Sequence, residues 1–161
     1  MDAKSLKRLL PRDKDDAETA RALVALGSPV LEPVLPQMLE WLKSNGSPVE
    51  VVVRDFFAAL GVHAVPVVEK ALASRHDGLK YSVVMNVVAK WPPQAIAPLK
   101  VQLQALATGS GVYGTDLVAL RLLTEHRLAD PAWLKEWAQF KTNRLREFLS
   151  QAEHIDGLLA K

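Results

Sequence analysis

Apolar residues recur at helical period along most of the chain, and the pattern is clearest between Leu31 and Leu60. Leu31, Val34, Leu35, Met38, Leu39 and Leu42 fall three or four apart, and Val49, Val52, Val53, Phe56, Phe57 and Leu60 repeat that spacing. Two such stripes separated by Asn45-Gly46-Ser47-Pro48 predict an antiparallel helical hairpin. The first helix of the hairpin contains Pro33 and Pro36. Pro33 fits a first turn, whereas Pro36 removes a hydrogen-bond donor and predicts a bend.

The flanking segments read as helices too. Leu6, Leu9 and Leu10 give a short amphipathic start that Pro11 stops. Asp15 or Asp16 is placed to cap a helix that runs to about Leu26 and ends at Gly27, and Pro29 fits the first turn of the next one. After Gly61 the spacing predicts a helix over 64–73, a turn at Asp77-Gly78, and a helix from Leu79 to Lys90 closed by Trp91-Pro92-Pro93. A third pair follows: Gln94 to Ala107, a glycine-rich break at 109–114, and a helix to about Arg127 that Thr115 or Asp116 can cap. Pro36, Pro66 and Pro98 recur at near-constant spacing in the first helix of each pair. This predicts an all-α helical repeat, or α-solenoid, over residues 1–129, with about three antiparallel helix pairs and an N-terminal helix.

Asp130-Pro131 opens a last helix, predicted as a capping element over residues 130–161. Trp133, Trp137, Phe140, Leu145, Phe148, Leu149, Ala152 and Ile155 give it a broad apolar face, suited to covering the open end of a repeat core. The alternative is a docking surface, since tryptophan is enriched at binding hot spots.

Charge and composition narrow the function classes. Net charge is +2, and the only local surplus lies in residues 1–14, with five basic and two acidic side chains. Such a distribution disfavours nucleic acid, which needs many phosphate contacts. Cysteine is absent, which removes disulfides and thiolate metal sites. The N-terminus lacks a signal-peptide run, and no stretch approaches the roughly 20 apolar residues of a membrane span, so the expected location is cytoplasmic. No nucleotide-binding, metalloprotease or nucleophile-elbow motif is present. The four histidines lie singly, so neither a metal nor a cofactor is expected. The loop at 109–114 has no preceding strand and no phosphate-binding lysine, and reads as a flexible connection.

Surface geometry remains. The second helix of each repeat pair usually lines one face. Those helices carry Glu50 and Arg54, then Ser82, Asn86 and Lys90, then Asp116 and Thr124. Glu50, Arg54, Lys80, Tyr81, Asn86 and Lys90 are the residues singled out for partner binding.

Four segments carry a family resemblance: Leu9-Leu10-Pro11-Arg12-Asp13-Lys14-Asp15-Asp16; Glu32-Pro33-Val34-Leu35-Pro36 with Leu39-Glu40-Trp41-Leu42; Ser47-Pro48-Val49; and Asp77-Gly78-Leu79-Lys80-Tyr81. In this order and spacing they resemble a small bacterial HEAT-like family known only as a domain of unknown function, family 5071. The resemblance implies a compact helical stack and assigns no activity. Family members usually carry Asp, Asn and Trp where this chain has Ser44, Gly46 and Ser47, and a further Trp in place of Leu79. Asp13, Lys14, Asp16, Trp41, Lys80 and Tyr81 do match the family pattern. The function expected is a protein–protein interaction module, a cytoplasmic immunity protein that neutralises a secreted bacterial toxin. The alternatives are a nucleic-acid-binding or DNA-glycosylase-type solenoid, which would use Trp41, Trp91, Trp133 or Tyr81 as stacking groups, and a structural scaffold.

Overall fold

The computed structural model describes residues 2–159, and among these the chain is all-α with no strand. Ten α-helices follow one another: α1 (Ala3–Lys7), α2 (Ala17–Val24), α3 (Leu35–Leu39), α4 (Pro48–Leu60), α5 (Val65–Leu72), α6 (Asp77–Asn86), α7 (Pro93–Ile96), α8 (Lys100–Thr108), α9 (Thr115–Glu125) and α10 (Pro131–Leu159). Tight 3-10 turns at Glu32–Val34, Glu40–Lys43, Gly61–Ala64, Val88–Lys90 and Ala97–Leu99 link several of them.

Proline explains why the expected first helices of the first and third pairs are broken, while that of the second pair, expected over 64–73, forms as α5. Each proline removes an intrahelical donor, a loss that is harmless only in the first turn. Accordingly Pro36 is the second residue of α3, Pro66 the second of α5, and Pro98 the second of the Ala97–Leu99 turn. What the periodicity suggested as one helix over Leu31–Leu42 is therefore a 3-10 turn, α3 and a second 3-10 turn. The apolar spacing survives the break, and Leu31, Val34, Leu35, Met38, Leu39 and Leu42 are all buried.

Helix ends mostly obey local chemistry. Asp16 caps α2 by accepting from the Thr19 N–H at 3.3 Å, and Asp130 caps α10 by accepting from Ala132 and Trp133 at 2.9 and 3.1 Å. Gly27 and Gly61 follow α2 and α4 with φ of +68° and +54°, a backbone region that a side chain disfavours. Three expectations fail, the first being that Pro29 opens a helix: residues 28–30 form a turn ahead of the Glu32–Val34 3-10 turn. His76 caps α6, its Nδ1 accepting from the Leu79 N–H at 3.0 Å, so Asp77-Gly78 forms the first helical turn rather than a separate one. Thr115 and Asp116 lie inside α9 rather than at its cap, which is Gly114.

Packing gathers these helices around one core. α2 lies on α4, α5 on α6, α8 on α9, and α6 touches both α9 and the Glu40–Lys43 turn. Phe57, Leu99, Leu103, Leu122 and Leu123 are fully buried there, each such burial being worth about 1.5–3 kcal/mol. Trp91 is buried too, and its indole N–H donates to the Phe57 carbonyl at 3.0 Å, meeting one of the orphan carbonyls in the last turn of α4.

The run Pro48–Leu72 corrects the expectation that no segment reaches membrane-spanning length, since by length and composition alone it does. No Lys, Arg, Asp or Glu falls between Asp55 and Glu69, which keeps the mean hydropathy high. Gly61 divides the run into α4 and α5, and Val53, Phe57, Val68 and Leu72 point into the core.

The last helix departs furthest from expectation. Trp133, Leu134 and Trp137 pack against the core and Lys141 is buried, but every residue from Thr142 to Leu159 is exposed. Lys141 is its last buried residue.

Candidate functional site

The residues singled out in the sequence divide between two clusters. The first joins α4 to the Val88–Lys90 turn. Asp55 accepts from Arg54 Nε at 3.4 Å and lies 3.7 Å from Lys90 Nζ, 35 residues further along the chain. The side chains of Asp55 and Lys90 are 62% and 51% exposed, so water weakens the pair but leaves it accessible. Asn86 stands one turn earlier, donating to the Ser82 hydroxyl at 3.3 Å.

Glu50 belongs inside rather than on that surface, because it is fully buried. Ser47 caps α4, a cap whose S-x-x-E signature lay in the sequence: the Ser47 hydroxyl accepts from the Glu50 N–H at 3.2 Å. The Glu50 side chain turns back and accepts from the Gly46 N–H at 3.4 Å, while Arg54 approaches to 3.7 Å. Ser82 and Asp116, read from periodicity as parts of a polar face, are likewise buried. Period alone cannot distinguish a solvated polar stripe from one covered by the next helix.

The second cluster surrounds the glycine-rich loop. Lys80 pairs with Asp77 at 2.6 Å, and the Tyr81 ring lies 5.7 Å from that of Tyr113 at the loop tip. Tyr113 is exposed and has φ of +60°, a strained backbone for a bulky residue. Lys141 of α10 reaches under the loop, donating to Asp116 at 2.6 Å and to the Gly109 carbonyl at 2.5 Å. Between loop and helix lies a cleft of about 530 Å³, with Leu117, Phe140 and Phe148 among its walls. The loop read as a flexible connection is thus tied at both faces.

A third group of residues comes together at the N-terminal side. The Val49 N–H donates to the Lys14 carbonyl at 3.1 Å, and Lys14 and Asp15 share a depression with Ser44 to Pro48. Asp16 also accepts from the Arg12 N–H at 3.2 Å. Its hydrogen bonds to Thr19 and to the Arg12 backbone hold its carboxyl below the ordinary value. Trp41 packs against the core, as do Trp133 and Trp137, so packing accounts for these rings.

A helical protein of this make-up, with its charged clusters at element junctions, is a small all-α domain. The sequence model of one family, described as Domain of unknown function (DUF5071), matches residues 9–112, and the chain belongs to that family. The matched span takes in Asp13, Lys14, Asp16 and the α4 and α6 clusters but ends before α9 and α10. No curated protein matches the chain.

Proposed function

We propose that this protein is a bacterial protein–protein interaction module of HEAT-like build, a cytoplasmic immunity protein that binds and neutralises a toxin. The observation that carries the binding reading is the accessible Arg54–Asp55–Lys90 network, contributed by two elements and half open to water. Charges so placed steer encounter and fix register with an oppositely patterned partner. The recurrence of Pro36, Pro66 and Pro98 at the second position of a helical segment supports the repeat architecture. The toxin comes from analogy with small helical immunity proteins, a fold-level argument.

The test is a tagged pull-down from the native cell at high salt, followed by titration of whatever protein is retained. The expected result is a stoichiometric toxin-like protein whose affinity falls about five- to tenfold with Asp55→Arg or Lys90→Glu. The helical circular dichroism should be unchanged. Retention of nucleic acid alone, lost as salt rises, would instead favour a phosphate-binding solenoid.

A further inference from the structure

We propose that the C-terminal half of α10 is a dimerisation element that pairs antiparallel with the same segment of a second copy. The first support is the helix itself. From Thr142 to Leu159 it runs about 27 Å with no residue buried, although helices in water owe most of their stability to packing of an apolar face. The second is the spacing. Beyond the buried Lys141, Leu145, Phe148, Ala152, Ile155 and Leu159 alternate by three and four residues, the heptad seam that another helix fills. Leu145 is 53% and Leu159 79% exposed, and Phe148, Leu149, Ile155 and Leu158 widen the same apolar surface.

Charge selects both the partner and the direction. Beyond the buried Lys141, residues 142–150 carry Arg144 and Arg146 against Glu147, whereas 151–159 carry Glu153 and Asp156 and no Lys or Arg. Parallel pairing sets like halves together; antiparallel pairing sets the basic half of each copy on the acidic half of the other. A two-fold axis at residue 150 brings the seam into register. Leu145 then faces the partner's Ile155, and Phe148 faces the partner's Ala152, a large residue over a small one. Lys141 falls level with the partner's Leu159, so the partner's last turn arrives at the apolar mouth of the 530 Å³ cleft beside Leu117 and Phe140. This surface uses different elements from the Asp55 network, so dimerisation and toxin binding stand or fall separately.

Sedimentation equilibrium of the full chain, from about 1 µM to about 1 mM, should show a species of twice 17.7 kDa. Leu145→Asp with Ile155→Asp should abolish it while leaving the folded signal, because both positions lie outside the core. The cysteine-free chain permits a test of direction: Leu145→Cys protein mixed with Ile155→Cys protein should oxidise to the mixed disulfide. Homodisulfides at position 145 would overturn the antiparallel pairing. A monomer at every concentration, or a dimer indifferent to the double aspartate variant, would overturn the proposal altogether.

Discussion

Lys141 and Asp116 meet at 2.6 Å although they lie on different helices, α10 and α9, and each side chain is about nine-tenths buried. The ammonium also donates to the Gly109 carbonyl, so a single charged group joins α10, α9 and the glycine-rich loop. The Trp137 ring lies 5.9 Å from the same nitrogen and adds a cation–π contact. This junction holds the last buried residue of α10.

Removing one partner of this pair leaves the other charge buried and uncompensated. Lys141→Ala or Asp116→Ala should each cost about 3–5 kcal/mol in urea unfolding. Replacing both with apolar residues of similar size should recover much of that loss. Equal losses in the singles and the double would show that packing, not charge, carries the junction.

Gly111 is required by space. A Cβ there would fall 1.9 Å from Asp116 Oδ1, so Gly111→Ala must push the carboxylate off Lys141. The expected cost is about 2–3 kcal/mol in the native background. In the Asp116→Gly background, which also removes the Asp116 Cβ that would lie 2.6 Å away, it should shrink to below about 1 kcal/mol, a coupling that a double-mutant cycle reads directly.

Trp91→Phe keeps most of the buried ring but leaves the Phe57 carbonyl without its indole donor. Stability should fall by about 1–3 kcal/mol, measured by thermal or denaturant unfolding. Hydrogen exchange should rise in the last turn of α4 before it rises elsewhere.

Asp16 supplies part of the acid dependence, alongside Asp2, whose hydrogen bonds to Ser5 also lower its carboxyl pKa. The folded pKa of Asp16 lies below the ordinary carboxylate value of 3.8, so its contribution is complete above that value and is lost as pH falls through the depressed folded pKa. Asp16→Asn keeps an oxygen acceptor for the Thr19 N–H but cannot titrate. The variant should therefore show a shallower loss of stability on acidification below about pH 4 than the native chain. An identical pH profile would assign the acid sensitivity to other groups.

Much of the fold was legible because it is written locally. Apolar spacing located the core residues from Leu31 to Phe57, and Asp16, Gly27, Gly61 and Asp130 marked helix ends by their own backbone and side-chain chemistry. The cap at Ser47 was equally local and S-x-x-E before an apolar run was its signal, although periodicity placed Glu50 on the surface instead. The four family segments were legible in the same way, as residues in a fixed order.

What only the tertiary structure decided is which polar groups face water and which face another helix. Glu50, Ser82 and Asp116 share the periodicity of solvated positions, yet each is buried because a neighbouring turn or helix arrives over it. Lys141 lies on the apolar seam of α10, and nothing near it in the chain indicates that Asp116 waits 25 residues away. Trp133, Leu134, Trp137 and Lys141 are covered, and the helix is exposed at every position beyond Lys141. One-dimensional spacing records that a helix has an apolar face; where the domain ends beneath that face is fixed only by the packing of the whole chain.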